Sequence, residues 1–419
     1  MRTSKQLFWI GAPLMAALAL VLVIAGCPEG PPPVPAGSTT TEQPADDHPA
    51  SDQADDTSGA TDDSAGTADD SAGSDDQQTS TDDNTGDQPD GSDTSGDQPD
   101  GDGGDPTDNP GDDQTTIQTA FTIDPAGLDG KYLMAFLACD DDGEACSLPV
   151  NHKVYLAVSD NGTDWTVPAD WQPYTGSVPD VIERDNKLYI YTPNEVVIID
   201  ETTGEVSEPI EVQIDTDQLP AGFVDPSPIL DDQGRIVLFF LPGSFGAIGT
   251  CPGGETTCTI EFFSATETDA RDGIHFTLDE GTRAAVDLDI TTAYKTATDP
   301  DIFYDGSQYV LYISEGASMA VYTSDTLRGS YTLSAELPGG LITDGTGGVG
   351  CAIFDATSGS YWTFAHATVD GLSVIRRAVH ADLSTQLAED DFSTVLTGPA
   401  IGLSDTQGNI ASPGVWVRE

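Results

Sequence analysis

A chain of 419 residues that sets 72 Asp and Glu against 14 Lys and Arg carries a formal charge of -58. Nucleic acid is excluded as a partner, because phosphates need Lys and Arg to displace their counterions, and anionic lipid head groups are excluded for the same reason. The charge bears on solubility and reach and leaves the fold to be read from pattern.

Arg2 and Lys5 precede an apolar run from Leu7 to Gly26, long enough to cross a bilayer as a retained anchor helix. Ile24-Ala25-Gly26-Cys27 resembles the bacterial lipoprotein cleavage box, which implies that residues 1–26 are a signal peptide and that Cys27 becomes the acylated first residue. Either reading gives an exported, membrane-tethered chain of the cell envelope, and the lipid reading puts it at the outer membrane or cell surface. Residues 27–117 are dominated by Pro, Gly, Ser, Thr and Asp, and no Lys or Arg occurs between Lys5 and Lys131. Such a stretch buries too little apolar surface to offset its ordering entropy, so a disordered, self-repelling acidic tether is expected. Its hexamer Gly86-Asp87-Gln88-Pro89-Asp90-Gly91 returns as Gly96-Asp97-Gln98-Pro99-Asp100-Gly101. Calcium-binding repeats also space aspartates with glycine, but a regular ligand spacing is absent here.

Residues 118–419 alternate strand-like runs of Tyr, Val, Ile and Phe with Gly, Asp, Asn and Pro turns, which predicts one all-β domain with an ample core. The clearest unit runs from Thr298 to Tyr331: Asp299-Pro300 opens an apolar run, Asp305-Gly306 turns it, Tyr309 to Ile313 returns, Met319 to Thr323 follows, and Ser324-Asp325 with Gly329 and Tyr331 closes it. Similar openings stand at Val178-Pro179-Asp180, Val224-Asp225-Pro226 and Gly350-Cys351-Ala352. The closing corner recurs at Ser159–Trp165, which resembles the aspartate box of sialidases, a folding corner whose Trp belongs in the core, and again at Asp272–Phe276. Copies roughly 45 to 75 residues apart match propeller blades rather than solenoid coils. Lys131 to Leu137 and Val154 to Val158 lack an opening strand of their own. The segment from Ala411 to Val417 resembles one, so a five-bladed β-propeller closed by the C-terminal strand is expected, leaving no open sheet edge. The domain is expected to be a monomer.

Of the 6 cysteines, Cys139 with Cys146 and Cys251 with Cys258 sit in two short Gly- and Asp-containing loops, and in an exported chain such local pairs are read as disulfides. No His or Cys cluster accompanies them to suggest a metal. Cys351 is left on an inner strand as a buried thiol.

Inner strands of a propeller line its axis, so Asp180, Asp225, Asp299 with Asp301, Gly350 and Ser412 are expected to meet at one mouth. Convergent carboxylates suit glycoside hydrolysis, with one as base, one as acid and neighbours separating their pKa values. Asp before Pro is equally ordinary turn chemistry, capping backbone N–H groups at strand starts. Trp171 and Tyr294, beside hub strands, are candidates for stacking on sugar, and His366 is either a mouth contact or a satisfied core histidine.

The stretch from Val224 to Gly234 is similar to the Asp-Pro strand and Asp-Gly turn of the family-43 glycoside hydrolases and their relatives in the five-bladed β-furanosidase clan. Thr298 to Ser314, the Ser324-Asp325 corner and Gly348 to His366 resemble later blades of that clan, so the likeness covers most of residues 178–366. It implies Asp180 near the general-base position, Asp225 at the carboxylate that orients and tunes the acid, and Asp299 near the general acid. The family's acid is a Glu, and its late-blade metal-associated His is replaced here by Val349-Gly350-Cys351. Shortening an acid by one methylene displaces it on the ångström scale, which costs about a hundredfold in rate. Two readings follow. One is an envelope propeller that binds glycan or another surface ligand at its central mouth without hydrolysing it. The other is an inverting hydrolase of pentose or furanose polysaccharides. No cofactor is expected, and a hub calcium ion has no support in the sequence.

Overall fold

The computed structural model describes residues 117–140, 145–243, 251, 255–289, 291, 296–405 and 408–418. The signal peptide, Cys27, all but the last residue of the tether, and Tyr294 lie outside the described residues.

Five antiparallel sheets form the blades of a five-bladed β-propeller. From the axis outwards the first blade is Asn409–Val417, Tyr132–Cys139, Lys153–Ser159 and Tyr174–Thr175, so the C-terminal strand does supply the missing inner strand. The second blade is Asp180–Arg184, Lys187–Thr192, Glu195–Asp200 and Glu205–Ser207, extended at its edge by Thr119–Thr122. The third is Phe223–Leu230, Ile236–Pro242, Thr257–Glu267 and His275–Leu278, edged by the parallel strand Gln213–Asp215. Thr298–Tyr304, Tyr309–Glu315, Ser318–Ser324 and Thr332–Leu333 make the fourth. Gly348–Asp355, Ser360–Val369, Leu372–His380 and Ser393–Thr397 make the fifth.

Each blade packs between two others, so its second strand is largely buried on both faces, and in the first and third blades it reads as an apolar run. Tyr132–Cys139 and Ile236–Pro242 are buried throughout. The outlying Ala284–Asp289, paired to the first half of Thr257–Glu267, alternates buried and exposed instead. Five apolar clusters fill the five seams; Phe239, Phe262, Leu311 and Ile313, for example, lie between the third and fourth blades. Tight turns join inner and second strands, and Asp185 and Asn186 take φ of 55° and 59° as a primed hairpin turn requires.

Inner strands start at one face of the ring, the mouth, and end at the other. At the far end every seam carries a polar bridge. Arg418 pairs with Glu183 and Glu201 between the first and second blades, and Arg184 with the buried Glu267 between the second and third. Arg328 meets Asp231 at 2.8 Å, the Tyr361 hydroxyl donates to Asp305 at 3.1 Å, and Lys131 meets Asp355 at 2.8 Å around the remaining three seams. In the Ser159–Trp165 corner the Ser159 hydroxyl accepts the Gly162 N–H at 2.9 Å and the Trp165 indole donates to the Gly162 carbonyl at 3.1 Å, while Arg377 of the fifth blade donates to the Asn161 carbonyl at 3.0 Å and the Thr163 hydroxyl at 2.8 Å. Trp165 packs partly buried against the fifth-blade side of the core, with Phe364 edge-on.

Disulfides join Cys139 to Cys146 and Cys251 to Cys258, each pinning a connection from second to third strand on the mouth side. Cys351 is a buried free thiol.

Candidate functional hub

Each inner strand enters the ring through one residue with left-handed backbone: Val178, Asp225, Asp299, Val349 and Ser412, at φ of 41°, 51°, 47°, 45° and 48°. The next residue is Pro179, Pro226, Pro300, Gly350 or Pro413. The ladder skips these two positions in the third, fourth and fifth blades, and it is irregular opposite Ser412 and Pro413 in the first. A proline has no N–H to leave unpaired, so a bulge at this point costs the backbone little. A β-branched residue such as Val349 is the least suited to the left-handed region.

One residue further in lies a second ring of equivalent positions: Asp180, Ser227, Asp301, Cys351 and Gly414. The expectation that Asp180 shares the slot of Asp225 and Asp299 is therefore corrected. Val178 holds that slot in the second blade, and Asp180 is equivalent to Asp301.

The deeper ring links neighbouring blades by a repeated hydrogen bond, in which the N–H one residue past the ring position donates to the ring side chain of the preceding blade. Ile302 N–H donates to Ser227 Oγ at 3.1 Å, Ala352 N–H to Asp301 Oδ2 at 2.8 Å, and Val415 N–H to the Cys351 sulfur. Two blades depart from the rule for reasons visible in the residues. Gly414 offers no side chain, so Val181 N–H turns to Oδ1 of its neighbour Asp180 at 2.7 Å. Pro228 has no N–H, so Asp180 takes the Ser227 hydroxyl instead. In the outer ring Asp225 Oδ2 accepts the Asp299 N–H at 3.2 Å.

The two rings enclose a cavity of about 30 Å³, lined by all five outer positions, the residues that follow them, Asp180 and Asp301. That is room for about two water molecules. Asp180 and Asp225 are each 8% exposed and Asp301 7%. No Lys or Arg lines the cavity. Burial raises the Asp180 carboxyl to about 7 against its hydrogen bonds to Val181 and Ser227, and raises Asp299 to about 6 against Thr298. Burial and the adjacent Asp299 push Asp225 well above the usual carboxylate range; burial and Asp180 do the same for Asp301. The hub thus favours neutral carboxylic acids. Among the described residues no three His, Cys, Asp or Glu are grouped as ligands for a metal ion.

Trp171, expected as an aromatic platform, is not at the hub. Trp171 is 7% exposed in the core between the first and second blades. Its segment folds back on the first blade, so that the indole N–H donates to the Val154 carbonyl at 3.1 Å and the ring meets Phe121 edge-on. His366 does not line the cavity either. Nor is it a satisfied histidine: Nε2 is buried without a partner among the described residues, and burial lowers the ring to about 4, keeping it neutral. Ser227, Cys351 and Gly414 belong to the hub and were not singled out from the sequence as such. The signal that finds them is the position two residues past each left-handed residue.

No protein-family model and no curated protein matches the chain. Solved structures similar to it include a family-43 arabinoxylan arabinofuranohydrolase from Bacillus subtilis in complex with cellotetraose, at 14% identity and a TM-score of 0.38 over 57% of each chain. An endo-1,4-beta-xylanase from Bacteroides thetaiotaomicron is similar at 16% identity and a TM-score of 0.38, over 67% of this chain and 95% of that one. An alpha-L-arabinofuranosidase from Clostridium thermocellum is similar at 14% identity and a TM-score of 0.37, over 67% and 93%. The chain spans little more than half the length of the first of these. The propeller assignment rests on the five sheets themselves.

Proposed function

We propose that the chain is a lipid-anchored propeller of the cell envelope that binds glycan or another surface ligand on its mouth face and does not hydrolyse it. The observation that carries this reading is the use of the hub acids. Asp180, Asp225 and Asp301 are engaged as acceptors between or within blades, around a space with room for about two waters. A sugar ring does not enter such a space, and Asp299 stands where a longer Glu is needed. With Cys27 acylated, residues 27–117 serve as the spacer that holds the propeller off the membrane.

The hydrolase reading is favoured by one observation, the lifting of two hub carboxyls toward neutrality, Asp180 to about 7 and Asp299 to about 6, and that order makes Asp180 the acid and Asp299 the base, the reverse of the roles the resemblance implies. Purified full-length chain in detergent, assayed on furanosides and pentose polysaccharides beside Asp225→Asn and Asp299→Asn, separates the two. Polysaccharide retention without turnover in all three proteins is expected. Turnover by the native chain that either substitution abolishes would make it a hydrolase. For the anchor, mass spectrometry of the N-terminal peptide of the membrane-extracted chain is expected to find an acylated Cys27 as its first residue; an unmodified Cys27 preceded by the apolar run shows a retained helix.

A further inference from the structure

We propose that a cleft between the second and third blades, on the mouth face beside the hub, is the binding site for a neutral saccharide. The proposal rests on the glycan-binding reading and moves the ligand away from the axis. The cleft has a volume of about 510 Å³, inside the range of roughly 300–1,000 Å³ typical of small-ligand sites, whereas the hub offers about 30 Å³. Its walls come from three segments: the second-blade hairpin at Asn194, the crossing between blades at Glu211 to Ile214, and the loop from Leu219 to the start of the third blade.

The walls are fixed in advance of any ligand. Asn194 is left-handed at φ 64°, its carbonyl oxygen accepts the Val212 N–H at 2.9 Å, and its Oδ1 accepts the Phe223 N–H at 2.7 Å. One residue, through its backbone carbonyl and its side chain, thereby ties all three segments together. Gly222 is required beside it, since a Cβ there would lie 1.8 Å from that Oδ1. With Oδ1 held, the orientation of the amide is set, and Nδ2 donates to no described residue.

The chemistry of the lining selects the ligand class. Glu211, Gln213 and the Asn194 amide offer acceptors and donors, while Ile214, Leu219 and Pro220 offer aliphatic surface. Hydroxyls alternating with C–H faces match that mixture. No Lys or Arg lines the cleft. Glu195 lies directly across the strand pair from Glu211, and its carboxyl is raised by burial and then by Glu211. Glu211 is the one charged residue in the lining, so an anionic saccharide would meet a like charge with no cation to offset it.

Calorimetric titration of the full chain in detergent with neutral xylo-, arabino- and cello-oligosaccharides, and with oligogalacturonate as the charged control, tests this. Pro220 is exposed, so Pro220→Trp fills the cleft from its rim; Gln213→Ala removes one polar group; Asp299→Asn alters only the hub. The native chain and Asp299→Asn are expected to bind a neutral oligosaccharide with the same affinity and to ignore oligogalacturonate. Gln213→Ala should weaken binding about tenfold, the loss of one to two hydrogen bonds, and Pro220→Trp more. Unchanged affinity in both cleft variants with loss in Asp299→Asn would overturn the cleft and leave glycan binding at the hub. No binding by the native chain would remove the glycan reading as well. Should Pro220→Trp melt early, the Gln213→Ala titration still decides.

Discussion

Replacing Asp180 by Asn tests whether the hub is a store of neutral acids. Its carboxyl has an ordinary value of 3.8 and is raised to about 7 in the folded chain. Between these values the native state holds a proton that the unfolded state releases, so stability falls as pH rises, by up to about 1.4 kcal/mol per pH unit for one group. The penalty is absent below about pH 4 and nearly complete at 7, where three units amount to about 4 kcal/mol, a large share of a typical 5–15 kcal/mol stability. Asn keeps an oxygen for the Val181 N–H and the Ser227 hydroxyl and never ionises. Urea unfolding of both chains with chelator present, followed by tryptophan fluorescence at pH 4.5, 6 and 7.5 and constant ionic strength, gives the comparison. An advantage for Asp180→Asn of about 1 kcal/mol at pH 4.5 that grows to about 4 kcal/mol at 7.5 is expected. A difference that stays constant with pH, or a variant weaker than the native chain at 7.5, refutes the reasoning.

Gly414→Ala should lower the melting temperature, because its Cβ would stand 2.5 Å from the Asp180 backbone, a clash worth about 1–3 kcal/mol that only a shift of the ring relieves. Val349→Gly is expected to do the opposite and raise stability by about 1 kcal/mol in the same melt, by relieving a β-branched residue at φ 45°. Arg184→Met strands Glu267, whose side chain is fully buried, and should cost about 3–5 kcal/mol in urea unfolding, much of it recovered in the double variant Arg184→Met with Glu267→Gln. Cys251→Ser with Cys258→Ser opens a short loop and should cost about 2–3 kcal/mol, read as a lower unfolding midpoint under oxidising conditions and none under reducing ones.

Blade number, ring closure and both disulfides were legible because they are written in local pattern: an Asp-Pro or its equivalent before an apolar run, a Gly or Asn turn, two cysteines within one loop. The register of the hub was not. Aligning blades on the letter D put Asp180 beside Asp225, whereas the backbone aligns Val178 with Asp225, and nothing in a valine advertises left-handed geometry. Trp171 misled because a large aromatic near a hub strand fits a sugar platform and a core equally well, and the choice depends on how its loop folds back. The seam bridges, such as Arg418 with Glu201, join residues far apart in sequence and leave no local mark. Strands Thr119–Thr122 and Gln213–Asp215, which edge the second and third blades, are too short to show a period.

The inner strand of the first blade is synthesised long after the three strands it joins. Until Asn409–Val417 arrives, Tyr132–Cys139 presents an open edge on a wholly apolar strand, and the seams on both sides of that blade are unfilled. A nascent chain that lacks only this strand therefore carries four complete blades and one adhesive stub. Any stop or proteolytic cut ahead of residue 409 yields a product that sticks to its neighbours rather than a smaller working propeller, so quality control of this protein reduces to whether its final strand has been delivered.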